Sequence, residues 1–205
     1  MRYDPYRHHR RSIRLKGYDY TQAGMYFITI CTYERTWLFG EVSGGEMRVN
    51  AFGEIVQRCW AEISQHFAHV ALDAFVVMPN HVHGILVLTH DGEEERPVWS
   101  VPNDEGLFPR GARPRSVGAI VGSFKSATAR RINELRGAPG APVWQRNYYE
   151  RIIRDEHELD RIRRYIVENP LRWHLDRENP WRTGIDPEDA SWFQATGHGT
   201  NFRER

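Results

Sequence analysis

Apolar positions recur along this chain with two different periods, and the switches between them mark out its elements. Met25 to Tyr33 alternates large apolar residues with threonine, which predicts a first strand. Gly44-Gly45 predicts the turn of a short hairpin, with Met47 to Val49 returning. From Phe52 the period lengthens: Ile55, Val56, Cys59, Trp60, Ile63 and Phe67 fall at helical spacing and predict a helix over about 51–67. The apolar run from Leu72 to Leu88, interrupted at Pro79-Asn80 and by two histidines, reads as two buried strands meeting at a sharp corner. Ser116 to Leu135 predicts a second helix with Val117, Ile120, Val121, Phe124, Ala127 and Ile132 on its buried side. Val143 to Ile153 reads as extended. A third helix begins at Asp155, where Asp155 and Glu158 make a capping-box-like start, and ends at Asn169-Pro170. Its buried stripe is Leu159, Ile162 and Ile166.

The order strand–helix–strand–strand–helix–strand predicts an α+β fold: a ferredoxin-like or RRM-like antiparallel sheet backed by two helices, with the third helix added. Such a sheet leaves one face open to a ligand. Its 205 residues suit one domain with additions. No run is long enough for a membrane span, and the N-terminus lacks the apolar core of a signal peptide. Two cysteines, Cys31 and Cys59, exclude a disulfide framework and a Cys-based zinc motif, so a reducing, cytoplasmic setting is expected.

A net charge of +1 hides an asymmetry. Residues 1–16 carry six basic groups against Asp4, and residues 91–105 carry six acidic groups against Arg96. The chain therefore divides into a basic arm at 1–16, a domain at 17–175 with an exposed insertion at about 89–115, and an extension at 176–205. Arg10, Arg11 and Arg14 in the arm, with Lys125 and Arg130 on the second helix, are candidates for phosphate contact; solvated surfaces have the same composition.

The candidate chemistry begins with Met78-Pro79-Asn80-His81-Val82-His83-Gly84. His81 and His83 leave one face of a strand together and can chelate a divalent ion; hydrogen-bonded structural histidines would look the same. Ile85 occupies the next alternate position, which argues against a histidine-triad hydrolase. On the third helix, Tyr165 and Asn169 are four apart and share a face. A tyrosine beside such a site is a candidate nucleophile, and Asn169 offers a carbonyl oxygen to the metal. Tyr148 and Tyr149 are rival nucleophiles without an asparagine partner.

Met78-Pro79-Asn80-His81-Val82-His83, Tyr165-Ile166-Val167-Glu168-Asn169-Pro170, Gly17-Tyr18-Asp19-Tyr20 and Val143-Trp144-Gln145-Arg146 together resemble the REP-associated tyrosine transposases, single-tyrosine members of the HUH nuclease group. The resemblance spans roughly residues 8–175. It implies a metal-dependent enzyme, using Mg²⁺ or Mn²⁺, that cuts and rejoins single-stranded DNA at hairpins formed by repetitive extragenic palindromes. Tyr165 is then the nucleophile, leaving a 5′-phosphotyrosine link and a free 3′-hydroxyl, and His81, His83 and Asn169 are the metal ligands. A monomer or homodimer is expected, bound to DNA and to no membrane. Two other classes fit parts of the pattern: a non-catalytic RRM-like nucleic-acid-binding module, and a replication initiator or relaxase of the same nuclease group.

Overall fold

The structure, a computed structural model, describes residues 18–89 and 112–187. The basic arm with Arg10, Arg11 and Arg14, and most of the insertion, lie outside the described residues. In chain order the elements are β1 (Gly24–Cys31), the hairpin β2 (Gly40–Ser43) and β3 (Glu46–Val49), α1 (Ala51–Ala61), α2 (Ile63–His66), β4 (Val70–Met78), β5 (His81–Leu88), α3 (Val117–Leu135), β6 (Tyr149–Ile153) and α4 (Glu156–Glu168). The main sheet has the order β4-β5-β1-β6 with every pairing antiparallel. This is the expected ferredoxin-like arrangement.

Period-two alternation divides the sheet between two cores. Tyr26, Ile28 and Ile30 of β1 and Val82, Leu86 and Leu88 of β5 join Val56, Cys59 and Trp60 of α1 and Ile120, Phe124 and Ile132 of α3. The intervening residues Phe27 and Ile85 join Leu159, Ile162, Tyr165 and Ile166 of α4. The second sheet face, expected to stand open, is thus covered by α4. The reason is the apolar stripe itself: Ile162 and Ile166 are fully buried, and each such side chain contributes about 1.5–3 kcal/mol when removed from water. Two ion pairs bind the same helix down. Arg163 makes a bidentate pair with Asp73 of β4 at 2.7 and 2.9 Å, and Arg151 of β6 binds Glu158.

Local chemistry sets the element ends. Gly44 and Gly45 take φ of 61° and 81°, the left-handed turn that joins β2 and β3 in two residues. Asn50 caps α1, Ser116 caps α3 and Asp155 caps α4, each accepting backbone N–H bonds. The reciprocal arm of the α4 box is displaced by one residue, since Glu158 accepts from the Arg154 N–H. Two expected elements come out shorter. The helix over 51–67 breaks at Glu62, whose carboxylate pairs with Arg131 of α3 at 2.8 Å. The extended stretch from Val143 keeps a single bridge, Trp144 to Thr32, before leaving the sheet and rejoining it as β6.

Gly84 shows how tightly β5 meets the helical layer. A Cβ placed there would stand 2.3 Å from a ring carbon of Trp60, which stacks on Phe75 at 4.5 Å and meets Phe124 edge-on. Gly84→Ala must displace that ring, an overpacking cost of about 1–3 kcal/mol. Urea denaturation should show the midpoint falling accordingly, and an unchanged midpoint would mean that the ring has room to move.

Candidate active site

β5 begins at the Pro79-Asn80 corner, and its first residues form the centre of the site. The β1–β5 register sets Cys31 opposite His81, Thr29 opposite His83 and Phe27 opposite Ile85. His81 and His83 therefore point to the α4 side of the sheet, and both are buried. The Thr29 hydroxyl lies 2.8 Å from His83 Nδ1, and Phe27 stacks on the His83 ring.

Asn80 decides the tautomer of His81. Its Nδ2 donates to the carbonyl oxygens of Glu178 (2.7 Å) and Arg35 (3.3 Å), which leaves Oδ1 as the acceptor facing His81 Nδ1 at 2.9 Å. His81 then holds its proton on Nδ1 and presents a bare Nε2. That Nε2 is 3.0 Å from Nε2 of His83. The Thr29 hydroxyl can donate or accept, so His83 can present its own Nε2 protonated toward His81 or bare toward a shared ion.

Three ligand atoms, from His81, His83 and Asp176, lie within 4.8 Å of one another in a buried cluster. Asp176 Oδ2 is 3.7 Å from His81 Nε2, and its Oδ1 accepts the Glu178 N–H at 2.6 Å. Asn169, at the C-terminal end of α4, donates Nδ2 to Asp176 Oδ2 at 2.9 Å, while its own buried Oδ1 has no hydrogen-bond partner. Such an orphaned acceptor is costly unless something donates to it or coordinates it. Two imidazoles, a buried carboxylate and an unsatisfied carbonyl oxygen suit a divalent ion of the hard or borderline class.

Burial holds the pKa of His81 below the usual 6.5 despite the opposing pull of Asp176 and Glu178. His83 lies well below it, by burial and by the neighbouring His81 and Arg177. Both rings are neutral at pH 7, the form that binds metal. Tyr165 reaches the same point from α4: its hydroxyl is 3.5 Å from His83 Nε2, and its ring packs against Phe27 and His83.

The remaining expected residues fall elsewhere. Lys125 donates to the carbonyls of Gln145 (2.6 Å) and Arg146 (3.0 Å), so it ties α3 to the segment leading into β6, and burial lowers its pKa. Arg130 is exposed on α3, on the opposite layer from the histidines, with Glu134 at 3.7 Å. Tyr149 lies in β6 against the Phe27 core. Sequence reasoning missed Asp176, Thr29, Asn80 and Glu178. Asp176 and Glu178 sit in an aperiodic polar stretch beyond residue 175, where no period marks a buried side, yet Asp176, Glu178, Asn179 and Asp186 are all buried. Burial opposes the charge on Glu178, but the Arg35 guanidinium at 2.8 Å, with His81 and Arg177 nearby, keeps its carboxyl below the usual carboxylate range.

No protein-family model matches the chain. An uncharacterized protein of Haemophilus influenzae is 41% identical over 175 residues, covering 83% of this chain and 93% of that protein. Among solved structures, a REP-associated tyrosine transposase bound to a REP hairpin superposes with a TM-score of 0.51 and 16% identity, over 82% of this chain and 75% of that one. No described helix is long and apolar enough to cross a membrane.

Two outcomes follow from this geometry. Adding Mn²⁺ should raise the thermal midpoint by an amount that grows with concentration, reflecting a stabilisation of about 2.7 kcal/mol at a hundred times the dissociation constant. His83→Ala or Asp176→Ala should remove the rise; a rise surviving both would place the ion elsewhere. The second outcome concerns pH. An unfolded chain protonates these histidines near 6.5 while the folded one keeps them neutral, so the unfolded state binds more protons below that pH. Stability of the metal-free protein should be flat above about pH 6.5 and decline below it. Urea midpoints across that range check this, and His81→Gln with His83→Gln should flatten the decline.

Proposed function

We propose, for a chain that belongs to one family with the Haemophilus influenzae protein and has the fold of a REP-associated tyrosine transposase, that it is a metal-dependent DNA strand transferase acting through a tyrosine. The observation that carries the reading is the Tyr165 hydroxyl 3.5 Å from His83 Nε2, within a buried cluster of two neutral histidines and a carboxylate. The substrate class is a single DNA strand next to a hairpin; the solved transposase is bound to a REP hairpin.

His81, His83 and Asp176 would hold a divalent ion, Mg²⁺ or Mn²⁺, with Asn169 Oδ1 available as a further oxygen ligand. The imidazoles favour Mn²⁺ and the oxygens suit either ion. When bound, the ion supplies positive charge against the phosphate oxygens as negative charge builds on them. The protein's own residues do the rest. Thr29 and Asn80 orient the two rings, Asn169 steadies Asp176, and the apolar packing of Phe27 and Ile166 holds the Tyr165 ring at the site. The phenol oxygen forms a bond to phosphorus while the bond from phosphorus to the 3′-oxygen breaks. The proton lost by Tyr165 balances the one gained by the released 3′-hydroxyl. The phosphotyrosine keeps the bond energy, so a second 3′-hydroxyl can reverse the step without a nucleotide cofactor.

On this reading the catalytic unit runs past residue 175 to include Asp176 and Glu178. The arm residues Arg10, Arg11 and Arg14 contribute phosphate contacts, and Arg130 adds one on the outer layer. The protein works in the cytoplasm, on the nucleoid.

The test is a labelled single-stranded hairpin incubated with protein and Mn²⁺, followed by denaturing electrophoresis. The wild type should give a covalent protein–DNA band. Tyr165→Phe should lose it by at least about a thousandfold, since it removes the attacking oxygen, while folding and hairpin binding persist. Tyr148→Phe and Tyr149→Phe should both keep the band. An undiminished band from Tyr165→Phe would assign the nucleophile elsewhere.

A further inference from the structure

Three tryptophans lead from His81 to the surface. Trp173, in the short 3-10 turn Trp173–Leu175 after α4, is buried with its ring tilted over His81 at 5.9 Å. Trp37, just after the turn that follows β1, lies against Trp173 at 5.8 Å. Trp181 meets Trp37 at 5.0 Å with the two planes at 89°. The outer pair is open to solvent: Trp37 is 42% exposed and Trp181 70% exposed. Indole rings bury large apolar areas in most proteins, so two exposed ones in mutual contact mark a surface that meets something flat.

We propose that Trp37 and Trp181 form a stacking corner for one unpaired base of the DNA strand whose phosphate lies at Tyr165; this rests on the function proposed above. Two rings at right angles make a floor and a wall. A nucleobase lying flat on one ring brings its edge against the other, and both contacts suit the ring quadrupoles. Every base has a π-face, so the corner grips without reading sequence. Its position explains its use: among the described residues Trp173 bridges it to His81, with ring centroids 5.8 Å from Trp37 and 5.9 Å from His81. The exposed Arg182, next in the chain to Trp181, supplies a cation for the backbone of the same strand. The Trp181 backbone N–H donates to Asn179 Oδ1 at 3.0 Å, and buried Asn179 in turn donates Nδ2 to the Trp173 carbonyl, so the corner is anchored to the fold rather than carried on a loose loop. An apolar protein segment is the other occupant such a corner could take, and a base scan separates the two.

The experiment uses the full chain and fluorescence anisotropy with a DNA hairpin bearing single-stranded extensions, intact or with an abasic site at each extension position in turn. Trp181→Ala should weaken binding of the intact DNA by about 5- to 150-fold, the range for losing one base–aromatic stack, and Trp181→Phe should recover most of it. For the wild type, one abasic position should weaken binding by a similar factor. The same abasic site should cost the Trp181→Ala protein nothing further, a coupling that a merely structural tryptophan would not produce. Equal affinities for wild type and Trp181→Ala, or a penalty that is the same at every abasic position, would overturn the corner and leave the strand-transfer reading intact. Absence of hairpin binding by the wild type would instead overturn both.

Discussion

The antiparallel register between β1 and β5 is the constraint on which the rest depends. Thr29 opposite His83 and Phe27 opposite Ile85 put two imidazoles, a hydroxyl and an aromatic ring on one sheet face. A slip of one residue would turn both histidines into the apolar layer under α1 and α3 and bring Val82 and Gly84 to the site. That slip is blocked from both sides. Gly84 has room for no side chain beneath Trp60, and Val82 and Leu86 are fully buried in the helical core. Packing on one face of the sheet therefore sets the chemistry on the other.

The second face gains its meaning from α4. The helix binds by an apolar stripe, and the same stripe carries Tyr165, so the energy that docks the helix also places the hydroxyl near His83. The bidentate Arg163–Asp73 pair fixes the rotation of the helix about its own axis, because planar donors meet planar acceptors in one orientation. Asn169 extends the arrangement beyond the helix by holding the Asp176 carboxylate. A carboxylate so deeply buried is unfavourable by itself, and beside two neutral rings it completes a cluster that could hold a cation.

The segment after α4 closes the site from the side. Glu178 accepts from Arg35 and from the Cys31 thiol, and its backbone carbonyl accepts from Asn80, whose Oδ1 orients His81. One hydrogen-bond path thus joins the turn after β1, the corner before β5 and the chain beyond residue 175. The thiol of Cys31 is pushed up by burial and by Glu178, which keeps it a protonated donor rather than a competing thiolate ligand.

By itself the sequence determined the elements and their faces. Local rules were enough for this: alternation in β1, the apolar run of β4 and β5, the stripe of α4, the cap at Asp155, and the two glycines of the hairpin. The i,i+2 histidines and the i,i+4 tyrosine and asparagine were legible for the same reason, because a fixed period puts such pairs on one face. Tertiary structure alone decided which faces met. The sequence left one sheet face open, whereas α4 covers it, since an amphipathic stripe names no partner. Asp176 was invisible because it sits in an irregular stretch, where no period relates a residue to the site and only folding brings its carboxylate to His81. Lys125 looked like a free surface cation until the fold brought two backbone carbonyls to its ammonium. Periodicity encodes direction along one element, while contact between elements depends on the whole chain finding its lowest free energy.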